Sequence, residues 1–431
     1  MPRRPLRLLS VVPFPPRLDA TDGGGRATAN LLVRLAGRNR VALVHLQRPG
    51  EAGADPALLE LCERVEAVSP DAPSRNPALR RAHTALLLAR GEPLWAIDVA
   101  ACNLAPAVAA VAAEWRPDIV QVEYAVAAAA TALVPRTIPR ILVDHDPGRA
   151  RAEEAVGAGA GLPTRLLRRA DLFAWQRFER RNLRASTATI VFTEADRLSL
   201  ARSAPEADVR VIPLGIDLPV EPLDPLGSEE AIVFVGNFIH PPNADAALHL
   251  LRDILPRVRL RHPGLKTYVV GDQPPPELRP FALEGVVVTG RVDRVEPYLE
   301  RAALAVAPLR TGGGMRMKVL ETLAAGKALV ATPRAVAGLS VRDREHVFLA
   351  EGADAFADAI ASLLAEPGRR GELARNARAW ARQQHDWESV TLEYERVYAS
   401  LLPGCCGGRR ELGPFGDCSS QSGASSTMAK P

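Results

Sequence analysis

Three glycines, Gly312, Gly313 and Gly314, stand between an apolar run and a helix-like run in "PLRTGGGMRMKVLETLAAGKALVATP" (308–333). Lacking Cβ atoms, they let backbone N–H groups approach a ligand closely. A helix N-terminus just beyond them adds partial positive charge, which suits a phosphate or diphosphate. Met315 opens the expected helix "MRMKVLETLAA", and Arg316 and Lys318 add full charges in its first turns. Glu321 lies three residues past Lys318, on the same helical face. A carboxylate repels phosphate, but it accepts two hydroxyl hydrogen bonds, as from the cis diol of a ribose. Diphosphate donors beside a diol acceptor point to a nucleoside diphosphate. An ordinary flexible loop is the competing reading for three glycines taken alone.

Two other glycine motifs are weaker. "AAGKA" (324–328) ends like a P-loop, but Ala328 stands where a Ser or Thr would bind magnesium, and the first glycine is missing. "DGGGRA" (22–27) follows the first apolar run as a dinucleotide-binding turn would, but Thr28 occupies the place of its third glycine.

The elements that position these residues alternate. Short β-branched runs at 6–13, 41–47, 118–124, 140–146, 188–196 and 209–217 are separated by longer Ala/Leu/Arg helical patterns. A Pro/Asp/Gly/Glu-rich stretch at 218–230 reads as a linker. Strand-like runs resume at 231–237, 266–272, 285–291, 303–309 and 328–333. Such alternation predicts parallel sheets covered on both faces. The expected architecture is α/β, with one doubly wound domain at 1–217 and a second at 231–386. A last helix at 387–402 is expected to pack back toward the first domain. Residues 403–431, "PGCCGG" onward, read as a disordered tail.

Composition narrows the class. The chain has 431 residues, 47% hydrophobic and 24% charged, with a net charge of +4, which is globular and too mild to require nucleic acid. Residues 1–220 carry 29 Lys and Arg against 24 Asp and Glu, a surplus that a solvated surface explains and an anionic surface would favour. Lys occurs only at 266, 318, 327 and 430, so nearly every cation is Arg, as in a GC-rich bacterial genome. The five cysteines have no zinc-like spacing and read as reduced thiols. No uncharged apolar stretch reaches membrane-spanning length. The opening "MPRRPLRLLSVVPFPP" reads as a first strand rather than a leader. The expected location is cytoplasmic, with weak peripheral contact at the inner face of a membrane as an open alternative.

In doubly wound folds, ligands bind beyond the carboxyl ends of the strands. Those ends here carry Glu123, Asp144-His145-Asp146, Gly236-Asn237, Gly271-Asp272, Gly290-Arg291 and the three glycines. Polar or glycine residues at the edges of both domains predict a cleft between them. Asp144 and Asp146 flank His145, and either could orient its imidazole.

The chain resembles the group 1 glycosyltransferases (glycosyltransferase family 4) of GT-B fold over roughly residues 5–400. The carboxyl half carries most of the likeness, in "IVFVGNFIHPPNADAALHLLRDILPRVRLRHPGLKTYVVGD", "VVVTGRVDRVEPYL" and "VAPLRTGGGMRMKVLETLAAGKALVATPRAVAGL". In the amino half, "GGGRATANLLVRLAGRNRVALV", "VDHDPGRARAEEA", "FERRNLRASTATIVFTEAD" and "VIPLGID" agree more loosely. The resemblance implies two Rossmann-like domains facing a central cleft, with donor on the carboxyl side and acceptor on the amino side. It implies that Glu321 holds the donor ribose and that His145 lies near the transferring sugar. The family's first motif glutamate would fall at Gly313, and the family arginine after the first strand of this domain would fall at Asn237, so both are missing. Arg316 and Lys318 are expected to compensate, with Lys318 dominant because it shares a face with Glu321. Gly23, Gly24, Gly25 and Arg26 would approach from the other side, and Gly290, Arg291 and Val292 would line the base.

The implied reaction is retaining sugar transfer from a nucleoside-diphosphate sugar to a glycan, lipid-linked or small-molecule acceptor. No metal and no cofactor are expected, since glycines and cations supply the phosphate site. A GT-B epimerase and a non-catalytic GT-B nucleotide-sugar-binding protein are the rivals. The first would need more acid and base groups in the front half, and the absent first glutamate favours the second.

Overall fold

The computed structural model describes residues 4–20, 23–70, 76–157, less 101–103, 161–283, 285–312 and 317–402. Thirteen strands among them form two sheets, and every pairing within each is parallel. The first holds β1 (Arg7–Val12), β2 (Arg40–Leu46), β3 (Arg64–Val68), β4 (Ile119–Glu123), β5 (Arg140–Val143), β6 (Ala188–Val191) and β7 (Val209–Val211). Its order is β3-β2-β1-β4-β5-β6-β7. The second holds β8 (Ala231–Val235), β9 (Lys266–Val270), β10 (Val286–Val288), β11 (Leu304–Ala307), β12 (Leu329–Ala331) and β13 (Phe348–Leu349), ordered β10-β9-β8-β11-β12-β13. The central β4, β5 and β11 are buried almost throughout, which is why their sequences are nearly continuous apolar runs.

Two strands escaped the sequence reading. "RVEAV" in β3 is an edge strand of intermediate burial, so no apolar signal marks it. β13 is two residues long and has no period to detect. The expected tail at 403–431 lies outside the described residues.

The backbone crosses between the two halves twice, at one place. Ile216 and Asp386 form a parallel bridge, and the Ile216 amide donates to the His385 carbonyl at 2.9 Å. The His385 ring nitrogen Nδ1 lies 2.7 Å from the Leu214 carbonyl. Gly215 sits under Trp387 so closely that a Cβ would come within 2.1 Å of the indole. Beyond the crossing, helix Trp387–Leu401 joins the first domain's core through Trp387, Val390, Tyr394, Val397 and Tyr398. The stretch 218–230 forms no helix or strand. Side chains of the second domain hold it down. The Arg378 guanidinium donates to the Pro219 carbonyl at 2.6 Å, and Arg370 reaches the Leu226 carbonyl at 3.3 Å.

Lys327, the lysine of the P-loop-like "AAGKA", belongs to this fastening. Its side chain has no exposed surface, and Nζ donates to the carbonyls of Asp224 at 2.5 Å, Ala302 at 2.7 Å and Glu300 at 3.3 Å. Three donors meet three acceptors, so no donor is left for a phosphate. Burial draws its pKa down to about 8. Replacing Lys327 with Met should strand these carbonyls and destabilise the protein by about 3 kcal/mol. In urea the midpoint should fall with an unchanged slope, and an unmoved midpoint would show that the ammonium is not needed there.

Candidate active site

Strand order reverses between β1 and β4 in one sheet and between β8 and β11 in the other. Each reversal opens a crevice, because the chain leaves adjacent strands toward opposite faces of the sheet. A cavity of about 560 Å³ spans both crevices. Its first-domain wall holds Gly23, Gly24, Arg26, Trp95, Tyr124, His145 and Asp146. Its second-domain wall includes Asn237, His240, Gly312, Met317, Lys318 and Thr322. A second cavity of about 370 Å³ lies between the Thr193–Asp196 turn, the crossing at Pro213-Leu214, and Arg334 to Ser340. The two cavities share His145, Asp146 and Gly312.

Arg26 reaches across the cleft. It stands in helix Gly23–Ala36 after β1 and forms an ion pair with Glu321 Oε1, in helix Met317–Ala324 of the other domain. Lys318 Nζ donates to Glu321 Oε2 at 3.0 Å, so the shared helical face exists and both carboxylate oxygens are engaged. Glu321 is partly exposed at the cavity's edge rather than in its wall. The domains also touch through two glycines. A Cβ on Gly23 would come within 2.7 Å of Met317 Cγ, and one on Gly338, at φ 86°, within 2.7 Å of Thr193 Cγ2.

The other expected residues fall in several places. Gly313, Gly314, Met315 and Arg316 lie outside the described residues. Asn237 lines the first cavity and shapes its own loop, accepting from the Ile239 amide at 3.1 Å and the Asn243 side chain at 2.7 Å. Gly236 and Gly271 pack against each other instead of lining a cavity, since a Cβ on Gly271 would meet the Gly236 carbonyl at 1.6 Å. Gly25 is buried in its helix. Gly290, Arg291 and Val292 stand outside both cavity walls, and Arg291 contributes to the field at Asp19 of the first domain, whose carboxyl is lowered chiefly by Arg17.

His145 is almost fully buried. Its ring stacks on Tyr124 with centroids 4.0 Å apart and meets Phe192 edge-on at 4.9 Å. Nε2 lies 2.6 Å from Glu123 Oε2, and Glu123 has no exposed surface. Glu123, not a flanking aspartate, therefore orients the imidazole. Asp144 instead turns into the domain, because alternation along the strand end sends it to the opposite side from its neighbour. Nδ1 of His145 is buried without a hydrogen-bond partner. Tyr124 takes up its stacking position at φ 66°, a backbone setting that costs of the order of 1–3 kcal/mol outside glycine. No sequence signal marks Trp95, Tyr124 or Thr193 as cleft residues: Trp95 lies in the short helical turn Leu94–Ala96, and the other two follow strand ends that could face any neighbour.

Asp144 is buried among other acids. Desolvation, reinforced by Glu179, Asp146 and Asp196, pushes its carboxyl up to about 8 from 3.8. Burial likewise raises Glu179 to about 7. Between pH 3.8 and 8 the folded protein keeps a proton at Asp144 that the unfolded chain releases, so stability falls as pH rises through that window. Asp144→Asn should flatten the decline by up to about 1.4 kcal/mol per pH unit. Urea midpoints at pH 5 and pH 8 measure this, and parallel declines in both proteins would remove Asp144 as a cause.

The family model described as Glycosyltransferase Family 4 matches residues 21–219, and that described as Glycosyl transferases group 1 matches residues 229–366. A search of curated proteins finds no match. Among solved structures, a sucrose-phosphate synthase from Thermosynechococcus elongatus superposes with a TM-score of 0.64 at 16% identity, covering 92% of this chain and 99% of its own. Anabaena HepE in complex with UDP gives 0.62 at 16% identity, covering 92% and 100%. WaaG, a glycosyltransferase involved in lipopolysaccharide biosynthesis, gives 0.59 at 16% identity, covering 90% and 99%. With one model on each half and two parallel sheets facing a shared cleft, the chain belongs to the group 1 glycosyltransferases of family 4 and has the GT-B fold.

Proposed function

We propose that this glycosyltransferase moves a sugar from a nucleoside-diphosphate donor to a hydroxyl of a glycan, lipid-linked or small-molecule acceptor, with retention and without a metal. The observation that carries this reading is the meeting of Arg26, Lys318 and Glu321 at the edge of a cavity spanning both domains. Glu321 supplies the acceptor oxygens for a ribose diol, and the two cations suit the adjoining diphosphate. Anabaena HepE was solved with UDP-glucose, which makes a uridine donor the first to test.

Donor binding exchanges partners on this reading. Arg26 moves from Glu321 to phosphate, and Glu321 accepts the diol in its place. As the bond between C1 and the leaving oxygen breaks, charge grows on the diphosphate, where Lys318 and Arg26 stabilise it. The acceptor oxygen bonds to C1 on the same face, and its proton passes to the leaving phosphate oxygen. His145 stands where the two cavities meet, beside the sugar in transit. Trp95 and Tyr124 give the acceptor side an aromatic wall against which sugar C–H faces pack.

Glu321→Gln should weaken nucleoside-diphosphate binding roughly ten- to hundredfold in calorimetry, the worth of a charge-assisted hydrogen bond. Arg26→Ala removes a phosphate contact and also a competitor for Glu321, so affinity should change little while kcat falls about tenfold or more. Lys318→Ala should also lower kcat. Wild-type turnover in both cation variants would sink the proposed phosphate site.

Turnover of a labelled nucleotide sugar should persist in EDTA, and NMR of the product should show the donor's anomeric configuration. Loss of activity that magnesium or manganese restores, or an inverted product, would overturn the corresponding part of the proposal.

A further inference from the structure

The pair of Glu123 and His145 does not end at Glu123. Gln121 Nε2 donates to Glu123 Oε1 at 2.6 Å, and the Tyr398 hydroxyl donates to Gln121 Oε1 at 2.5 Å. Gln121, Glu123 and Tyr398 are each buried to within 1% of completely. Gln121 and Glu123 point the same way because they are two residues apart on β4. Tyr398 comes from helix Trp387–Leu401, the element that returns to the first domain after the crossing.

The polarity of the chain follows from its donors and acceptors up to Glu123. Gln121 turns its NH₂ to Glu123 and its oxygen to the tyrosine hydroxyl, so Glu123 Oε1 accepts within the chain. Burial keeps that hydroxyl protonated, with its pKa raised well above the ordinary value. With Glu123 as the acceptor, the hydrogen bond to it uses His145 Nε2–H, and Nδ1 is the ring nitrogen left without a partner. Rings on two sides, Tyr124 and Phe192, prevent the imidazole from turning away.

We infer that Glu123 and Gln121 are positioning residues that hold His145 as its Nε2–H tautomer, and that Tyr398 ties this setting to the seating of the returning helix. The inference deepens the proposed function and rests on its placement of His145 beside the sugar. It gives the last helix a part in the chemistry beyond closing the core, although that helix contributes no side chain to the wall of either cavity.

Nitrogen-15 NMR of the intact protein tests it, with His145→Asn identifying the resonance. The wild type should show a neutral ring protonated at Nε2. Glu123→Gln should convert this to a tautomer mixture and lower kcat about a hundredfold or more, as loss of a histidine-orienting carboxylate does elsewhere, with nucleoside-diphosphate affinity unchanged. Tyr398→Phe, a milder change that spares the fold, should lower kcat about fivefold, the equivalent of one neutral hydrogen bond, with KM for donor unmoved. A wild-type ring protonated at Nδ1, or a tautomer unchanged in Glu123→Gln, would overturn the inference. A tautomer that shifts while turnover stays at the wild-type level would leave the relay standing and refute instead the placement of His145 beside the sugar. A Tyr398→Phe protein with wild-type kcat would detach the helix from the relay.

Discussion

Two passages of backbone cross between the domains at the same point, and the cleft takes its width from how they are bound there. The Ile216 amide, the His385 ring and the Trp387 indole over Gly215 lock the outgoing and returning chains together. Arg34 adds a cation over the Trp387 ring at 4.9 Å. Because the returning helix is buried in the first domain's core, a shift of one domain against the other must strain apolar packing as well as the crossing itself. The approach of Gly23 to Met317 and of Gly338 to Thr193 follows from that placement. Larger residues at either glycine would wedge the cleft apart.

Charge in the cleft is divided by depth. At its edge, where water screens, Arg26, Lys318 and Glu321 form a part-exposed ion cluster whose pairs are each worth little. Deep in the first domain, each carboxylate has a different solution. Glu123 is satisfied by an imidazole and an amide, whereas Asp144, surrounded by other acids, holds its proton up to about 8. A charged group at Asp144 would face repulsion in a medium that screens little, so neutralisation is the cheaper outcome. The second domain solves the same problem for a cation, surrounding Lys327 with backbone carbonyls.

Strain and aromatic packing concentrate around His145. Tyr124 holds an unfavourable backbone angle while its amide still donates to the Val143 carbonyl at 2.9 Å. The ladder between β4 and β5 is thus kept to its end, and the strain is confined to the one residue whose ring covers the imidazole. Phe14 and Trp95 brace that ring from the other directions, at 5.3 and 6.3 Å.

Local pattern was enough for most of the architecture. Apolar runs bounded by Gly and Pro located eleven of the strands, because a strand buried on both faces must be apolar along its length. Helical period placed Lys318 beside Glu321, and the returning helix was legible from its own spacing. Of the polar and glycine strand ends, His145, Asp146, Asn237 and Gly312 line a cavity, whereas Gly236, Gly271, Gly290 and Arg291 do not. Tertiary structure alone decided the partners. Arg26 and Glu321 are 295 residues apart, and Tyr398 and Gln121 are 277 apart. Lys327, in the stretch whose P-loop likeness was already weak, is a buried fastening, while Glu123 rather than a neighbouring aspartate took the histidine. Periodicity reports which face a side chain occupies within its own element. Which distant group meets that face depends on how sheets and domains pack, and that is set by burial and by the double crossing rather than by any local run of residues.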